Sequence, residues 1–187
     1  MTRRFAILLC AMAAPALAHV TPPVVLLSDR EAVSTLLGGS KRYFVREVRL
    51  TPAERQSIEK ETGWAPDEDF HRFYLGRDEQ QHEVGAVTFL TDYTIHGPVR
   101  VAVALSPDGK VKGAAVIEAS EETYPWVKKL IDQGFLSRFA GLDAHAPMPP
   151  RAGSGTSMPA FYGDVISGLV RRAALLYETA VLKRAHS

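Results

Sequence analysis

The period of hydrophobic and polar positions changes several times along this chain, and each change predicts an element. Ser28-Asp-Arg-Glu31 forms a Ser-x-x-Glu capping box ahead of Ala32, Val33, Leu36 and Leu37. It predicts a short helix closed by Gly38-Gly39. Tyr43-Phe-Val-Arg-Glu-Val-Arg-Leu50 is rich in aromatic and β-branched residues and alternates after Phe44, the pattern of a strand. Thr51-Pro-Ala-Glu54 is a second capping box with proline at the first helical position, and Gly63 closes that helix.

A β-rich middle follows. Phe70 to Leu75 is expected to pair with Val84 to Leu90 across a polar turn, and Val99–Leu105 and Val111–Ile117 flank the hairpin signal Ser106-Pro-Asp-Gly109. From Glu121 the spacing is helical again, with Trp126, Leu130 and Ile131, then Phe135, Leu136 and Phe139 before Gly141. A Pro/Gly/Ser loop covers residues 143–158. The last helix is expected from about Pro159 or Asp164 to Lys183, with Ile166, Leu169, Val170, Ala173 and Leu176 on its apolar stripe. Strands clustered between helices predict a single α+β domain, a twisted antiparallel sheet flanked by helices with an amphipathic helix at the C-terminus.

Composition adds a compartment. Arg3 and Arg4 precede an apolar run from Phe5 to Leu17, and Ala16-Leu17-Ala18 offers a small-x-small cleavage site. Residues 1–18 are therefore expected to be a signal peptide, which makes the protein periplasmic. Residues 19–42 then form an N-terminal helical lead-in, and 43–187 form the main domain. Cleavage removes two arginines and takes the formal charge from +1 to −1, which gives no electrostatic case for nucleic acid or anionic membrane. It also removes Cys10, the sole cysteine, so disulfide, thiolate and cysteine-metal chemistry are excluded from the mature chain. A hydrophobic share of 46% and a charged share of 23% are ordinary for a globular core and exclude wholesale disorder.

The stretch with candidate chemistry is Arg151-Ala-Gly-Ser-Gly-Thr-Ser-Met-Pro-Ala-Phe-Tyr-Gly-Asp164. Amides at a helix N-terminus lack intrahelical partners and carry the positive end of the dipole, so they suit a phosphate. Gly153 and Gly155 would let the backbone approach an anion closely. The competing reading is local: Ser154, Thr156 or Ser157 caps the helix, with Pro159 in its first turn.

From about Tyr43 to Glu178 an ordered set of segments resembles the FMN-binding domain family of exported flavoproteins. This family includes periplasmic flavin subunits of sodium- or ferredoxin-linked redox complexes and regulator-type membrane flavoproteins. The matching pieces are Leu50-Thr-Pro-Ala-Glu-Arg55, Phe73-Tyr-Leu-Gly-Arg77, and Val101-Ala-Val-Ala-Leu-Ser-Pro-Asp-Gly-Lys-Val111 with Val116-Ile-Glu118. After them come Glu122-Thr123, Phe135-Leu-Ser-Arg-Phe-Ala-Gly141, and a hydroxyl/glycine loop before a helix ending Arg171-Arg-Ala-Ala-Leu-Leu-Tyr-Glu178.

In that family a Ser-Gly-Ala-Thr motif opens the last helix, and its threonine accepts FMN as a phosphoester from a flavin transferase that uses FAD. The resemblance implies Ser154-Gly155-Thr156-Ser157 as the counterpart, with Thr156 as acceptor and Ser157 as substitute. It also implies Glu122 and Thr123 as pocket residues, electron-transfer proteins at or in the membrane as partners, and a carrier role in place of a substrate-specific enzyme. The motif departs from the family's by lacking the alanine, and Tyr124-Pro125 replaces a glycine after Glu-Thr. Non-covalent FMN and a flavin-free docking or assembly module with the same fold therefore stand as alternatives.

The remaining candidates read as ordinary surface. Arg138 could pair with a phosphate or simply end a helix in solvent. His19 would become the mature N-terminus, where amine plus imidazole can hold copper. The histidines at 71, 82, 96, 145 and 186 show no ligand spacing.

Overall fold

The computed structural model describes residues 23–68, 70–149 and 156–185, so the signal segment, His19, Ser154 and Gly155 lie outside the described residues. Six strands form one antiparallel sheet in the order β1-β6-β5-β4-β3-β2. Their ranges are β1 Pro23–Val25, β2 Arg42–Val48, β3 His71–Arg77, β4 Glu83–Thr94, β5 Gly97–Leu105 and β6 Val111–Ser120. The helices are α1 Asp29–Leu36, α2 Pro52–Thr62, α3 Tyr124–Asp132 and α4 Met158–Tyr177. A 3-10 turn lies at Phe135–Phe139, and α4 continues through a π-helical turn at Glu178–Leu182 into α5 Lys183–Ala185. A single α+β domain with a C-terminal helix is the observed architecture.

Local chemistry sets the helix ends. Both capping boxes form: Ser28 and Glu31 exchange bonds at the start of α1, Thr51 and Glu54 at the start of α2. Pro52 occupies the first turn of α2, where a missing N–H costs nothing, and Gly63 caps its end at φ +68°. The Ser106–Gly109 turn closes as expected, with Gly109 N–H donating to the Ser106 carbonyl at 2.9 Å.

Central strand β5 explains the layering. Val99, Val101, Val103 and Leu105 point to one face, where α2, α3, the 3-10 turn and α4 cover a core that includes Phe73, Leu130, Phe135, Phe139, Ile166 and Tyr177. Ala102 and Ala104 point to the other face, and their small side chains let α1 lie close over Val87 and Ile117 through Ala32, Val33 and Leu37. Alternation of period two thus sorts large residues to the thick side and small ones to the thin side.

Three features differ from the expectations or lengthen them. β1, beginning at a proline, pairs with β6 through Pro23↔Ser120 to Val25↔Glu118, and α1 packs on β5 and β6. Residues of the expected lead-in are therefore built into the same sheet and core as the rest. β4 runs on past the expected Leu90 to Thr94 and turns tightly into β5 at Thr94↔Gly97, so the tip of this hairpin, residues 91–98, lies in a stretch with no clear strand pattern. The last helix starts at Met158, a position set by Ser157, whose side chain accepts from Ala160 N–H at 3.4 Å.

Candidate functional site

The β4–β5 turn, the β6–α3 junction and the second turn of α4 meet through a chain of hydroxyls. Ser120 Oγ donates to the His96 carbonyl at 2.5 Å, and Thr94 Oγ1 donates to the Gly97 carbonyl at 2.8 Å. The Tyr162 hydroxyl lies 3.0 Å from Thr94 Oγ1 and 3.1 Å from Thr123 Oγ1. Each hydroxyl has one proton. With the Thr94 proton on Gly97, a consistent assignment has Tyr162 donating to Thr94 and Thr123 donating to Tyr162. Tyr162, Thr123 and Ser120 are all buried, so these bonds hold polar groups that would be costly to leave unpaired.

Gly97 makes the approach possible. Its φ is +107°, and a Cβ there would fall 2.6 Å from Ser120 Cβ, so the hairpin could not lie against the β6–α3 junction with a larger residue.

Aromatic rings line the outer side of this knot. The Trp126 and Tyr162 rings stack at 5.7 Å with 13° between planes, and the His96 ring meets Trp126 edge-on at 5.2 Å. His96 Nδ1 is 2.8 Å from Glu122 Oε1, a pair that is part-exposed. Phe161 packs edge-on against Tyr162 and is half exposed, while Tyr93 and Ile95 on the hairpin tip are 81% and 94% exposed. Trp126, His96 and Phe161 thus form a part-open group of rings with one histidine–carboxylate pair at its edge, while Tyr93, opposite Pro98, faces the α1 side of the sheet.

Thr123, expected in a pocket, is buried inside the hydroxyl chain and presents no free group to a ligand. Glu122 is exposed and held by His96. Ser157 is the N-cap of α4, as the local reading had it, and Thr156 precedes it as an exposed turn residue. Tyr162 follows Ser157 by five positions, which is about 7–8 Å along a helix axis. The Tyr162–Thr123 contact ties Thr123 to the helix that Ser157 caps, through that helix's second turn.

The N-terminus of α4 offers few donors. Pro159 has no N–H, Ala160 N–H goes to Ser157, and Phe161 N–H goes to the Ser157 carbonyl, which leaves Met158 N–H in the first turn. Arg138 is exposed and its guanidinium lies 5.7 Å over the Phe135 ring. Among the described residues no group of three or more His, Cys, Asp and Glu is placed to hold a metal ion, and no helix is long and apolar enough to cross a membrane. No family model, characterised protein or solved structure matches the chain.

Sequence reasoning missed His96, Trp126 as its partner, and Tyr162. A signal for Tyr162 existed: a tyrosine on the buried stripe of an apolar helix must place its hydroxyl against a partner. Nothing local identified that partner, because Thr94 and Thr123 are 68 and 39 positions away.

Proposed function

We propose that the chain is an exported FMN-binding electron-transfer protein, a flavin carrier or a subunit of a redox chain at the membrane. The observation that supports this reading is the Tyr162–Thr123 contact, which ties the junction carrying Glu122, Thr123 and Trp126 to the helix that Ser157 caps, five positions after the cap. A planar heteroaromatic with a phosphate tail fits such an arrangement in kind. Trp126 and His96 supply rings, Met158 N–H and the helix dipole supply a place for negative charge, and the Thr156 hydroxyl is exposed for esterification.

FMN, when bound, would supply the one- and two-electron chemistry. The chain's share is to hold and shield it. Covalent loading would be transfer from FAD catalysed by a flavin transferase: the Thr156 oxygen bonds to the FMN phosphorus, AMP leaves, and the hydroxyl proton is released.

The test is a visible spectrum of protein exported from a host supplying the transferase, recorded before and after acid precipitation. Colour in the pellet that disappears in Thr156→Ala, with the thermal melt unchanged, is the expected result. Colour released to the supernatant would make the flavin non-covalent. A colourless protein that takes up no FMN would sink the reading. The mass of the exported chain should begin at His19, and an intact N-terminus would refute the signal peptide.

A second reading is favoured by one specific observation. Ser157 is committed to the cap and Pro159 lacks a donor, so the phosphate cradle is thin. A flavin-free docking module of the same fold, presenting Tyr93 and Ile95 to a redox complex, is what the colourless outcome would leave.

A further inference from the structure

The two edges of the sheet are built differently. β1 is three residues long and starts at Pro23, which cannot donate to a neighbouring strand. β2 is seven residues long, and every residue before Val48 is exposed. Its far side carries a row of backbone donors and acceptors with no partner strand among the described residues, where the sheet ends at β2. The strand is also apolar at its middle, with Tyr43, Phe44 and Val45 at 44%, 46% and 59% exposure. An exposed edge of this length and character is a template for pairing.

We infer that β2 pairs with β2 of a second copy, antiparallel and centred on Val45, joining two six-stranded sheets into one. The charge pattern of Arg42-Tyr-Phe-Val-Arg-Glu-Val48 selects both the occupant and the register. A two-fold axis perpendicular to the sheet requires that residues facing each other lie on the same face, so the centre must fall on a residue and not between two.

Centred on Val45, Phe44 faces Arg46, Tyr43 faces Glu47 and Arg42 faces Val48, each twice. Within β2 no like charges face each other, the one like pair being Lys41 against Arg49 just beyond its ends, and both faces gain favourable pairs: arginine against an aromatic ring, and a phenol against a carboxylate. Centred on Phe44, Arg42 would face Arg46. Centred on Arg46, that arginine would face itself. The strand is complementary to its own copy in the Val45 register and repels in its neighbours.

The faces agree with the structure. Tyr43 lies on the α1 side, where it lines a cleft with Val33 and Tyr74, and Glu47 is there too, bonded to Arg72 at 2.8 Å. Val48 lies on the α4 side in the main core. Residues 43, 45 and 47 therefore meet their counterparts on one face, and 44, 46 and 48 on the other.

Sedimentation of the full chain at about 100 µM tests this, since even a dissociation constant in the micromolar range gives mostly dimer there. The expected result is a dimer mass, reduced to monomer by Val45→Lys, which sets two ammonium groups against each other without touching the core. Oxidation gives a second readout that does not depend on that variant folding. In a Cys10→Ser background, Val45→Cys should cross-link to a dimer, because facing residues of an antiparallel pair lie within disulfide reach. Val25→Cys, equally exposed at 61% on the opposite edge, should remain monomeric. A wild-type monomer at this concentration, a dimer that survives Val45→Lys, or equal cross-linking at both positions would overturn the proposal.

Discussion

The two faces of the sheet solve the same burial problem with very different amounts of material. One face carries α2, α3, the 3-10 turn and α4 over a continuous core of large side chains. Among the described residues the other carries a single helix, the eight residues of α1, placed over β5 and β6, where alanines allow close contact. Its far half, around Tyr43 and Tyr74, is left as a cleft of about 500 Å³ beside α1. The thick face fixes the fold and, at its rim, brings the candidate site together. The thin face leaves aromatic surface exposed beside β2, whose outer edge has no partner strand among the described residues.

Core truncation should separate the faces most strongly. Phe73 is fully buried on the thick side and packs at 5.6 Å against the Tyr177 ring, so Phe73→Ala should cost about 3–5 kcal/mol in denaturant unfolding. Leu37 is equally buried on the thin side, but there the layer above the sheet is one helix deep. Leu37→Ala should fall at the low end of its class, about 2–3 kcal/mol, because a shallow site can collapse. Equal losses, or a larger loss at Leu37, would contradict the comparison.

A second difference is in proton linkage. His71 sits on the thick face, 2% exposed, with Nε2 lacking a partner. Burial first, and the Arg55 guanidinium second, push its pKa down to about 4 from an ordinary 6.5. Between those values the unfolded chain binds a proton that the folded chain does not, so stability rises with pH across that window and is lost as pH falls from 6.5 toward 4. The loss should reach on the order of 3 kcal/mol, measured as the unfolding midpoint against pH. His71→Gln should flatten that slope; an unchanged slope would assign it to other groups. Glu54, held to about 2 chiefly by Arg184, contributes a separate loss at more acid pH, as it becomes protonated below its ordinary range.

What the sequence made legible follows from how far each signal reaches. Ser28/Glu31 and Thr51/Glu54 act within one helical turn, and both boxes form where they were expected. The Ser106–Gly109 turn is equally local. β1 is too short to show alternation and opens with a proline, so only its pairing with β6 makes it a strand. The β4–β5 turn was hidden because Asp92-Tyr-Thr-Ile-His-Gly-Pro98 mixes polar and aromatic residues with no clear period. Thr156 and Ser157 were legible as a helix start, and Ser157 is the cap. Thr123 was singled out, but its burial under Tyr162 is a tertiary fact with no spacing to announce it.

That contact gives the next prediction. Tyr162→Phe keeps the ring stacked on Trp126 and removes only the hydroxyl that Thr94 and Thr123 share. Thr123 would then lose the acceptor for its proton and turn back to the His96 carbonyl, 3.1 Å away. Because that alternative exists, the cost should be about 1–2 kcal/mol, below the core truncations. A loss near zero would mean that the hydroxyl chain is not what holds α4 against the β6–α3 junction.

The smallest effect should come from the thin face. Asp29 in the first turn of α1 holds Arg100 of β5 through two bonds, at 2.6 and 2.9 Å, and Arg100 also lies 4.9 Å over the Phe89 ring. The aspartate tethers α1, the one helix on that face among the described residues, and it also complements the helix dipole. Both side chains are partly exposed, which limits such a pair to about 0.5–1 kcal/mol. Asp29→Asn should therefore barely move global unfolding, yet speed amide exchange in α1 while leaving α4 unchanged. Raising the salt concentration should erase the difference between Asp29→Asn and the parent, since partly exposed charges are screened, whereas the Leu37→Ala loss should persist. If salt does not narrow the Asp29→Asn difference, α1 is held by its apolar residues alone and the ion pair contributes nothing to closing the thin face.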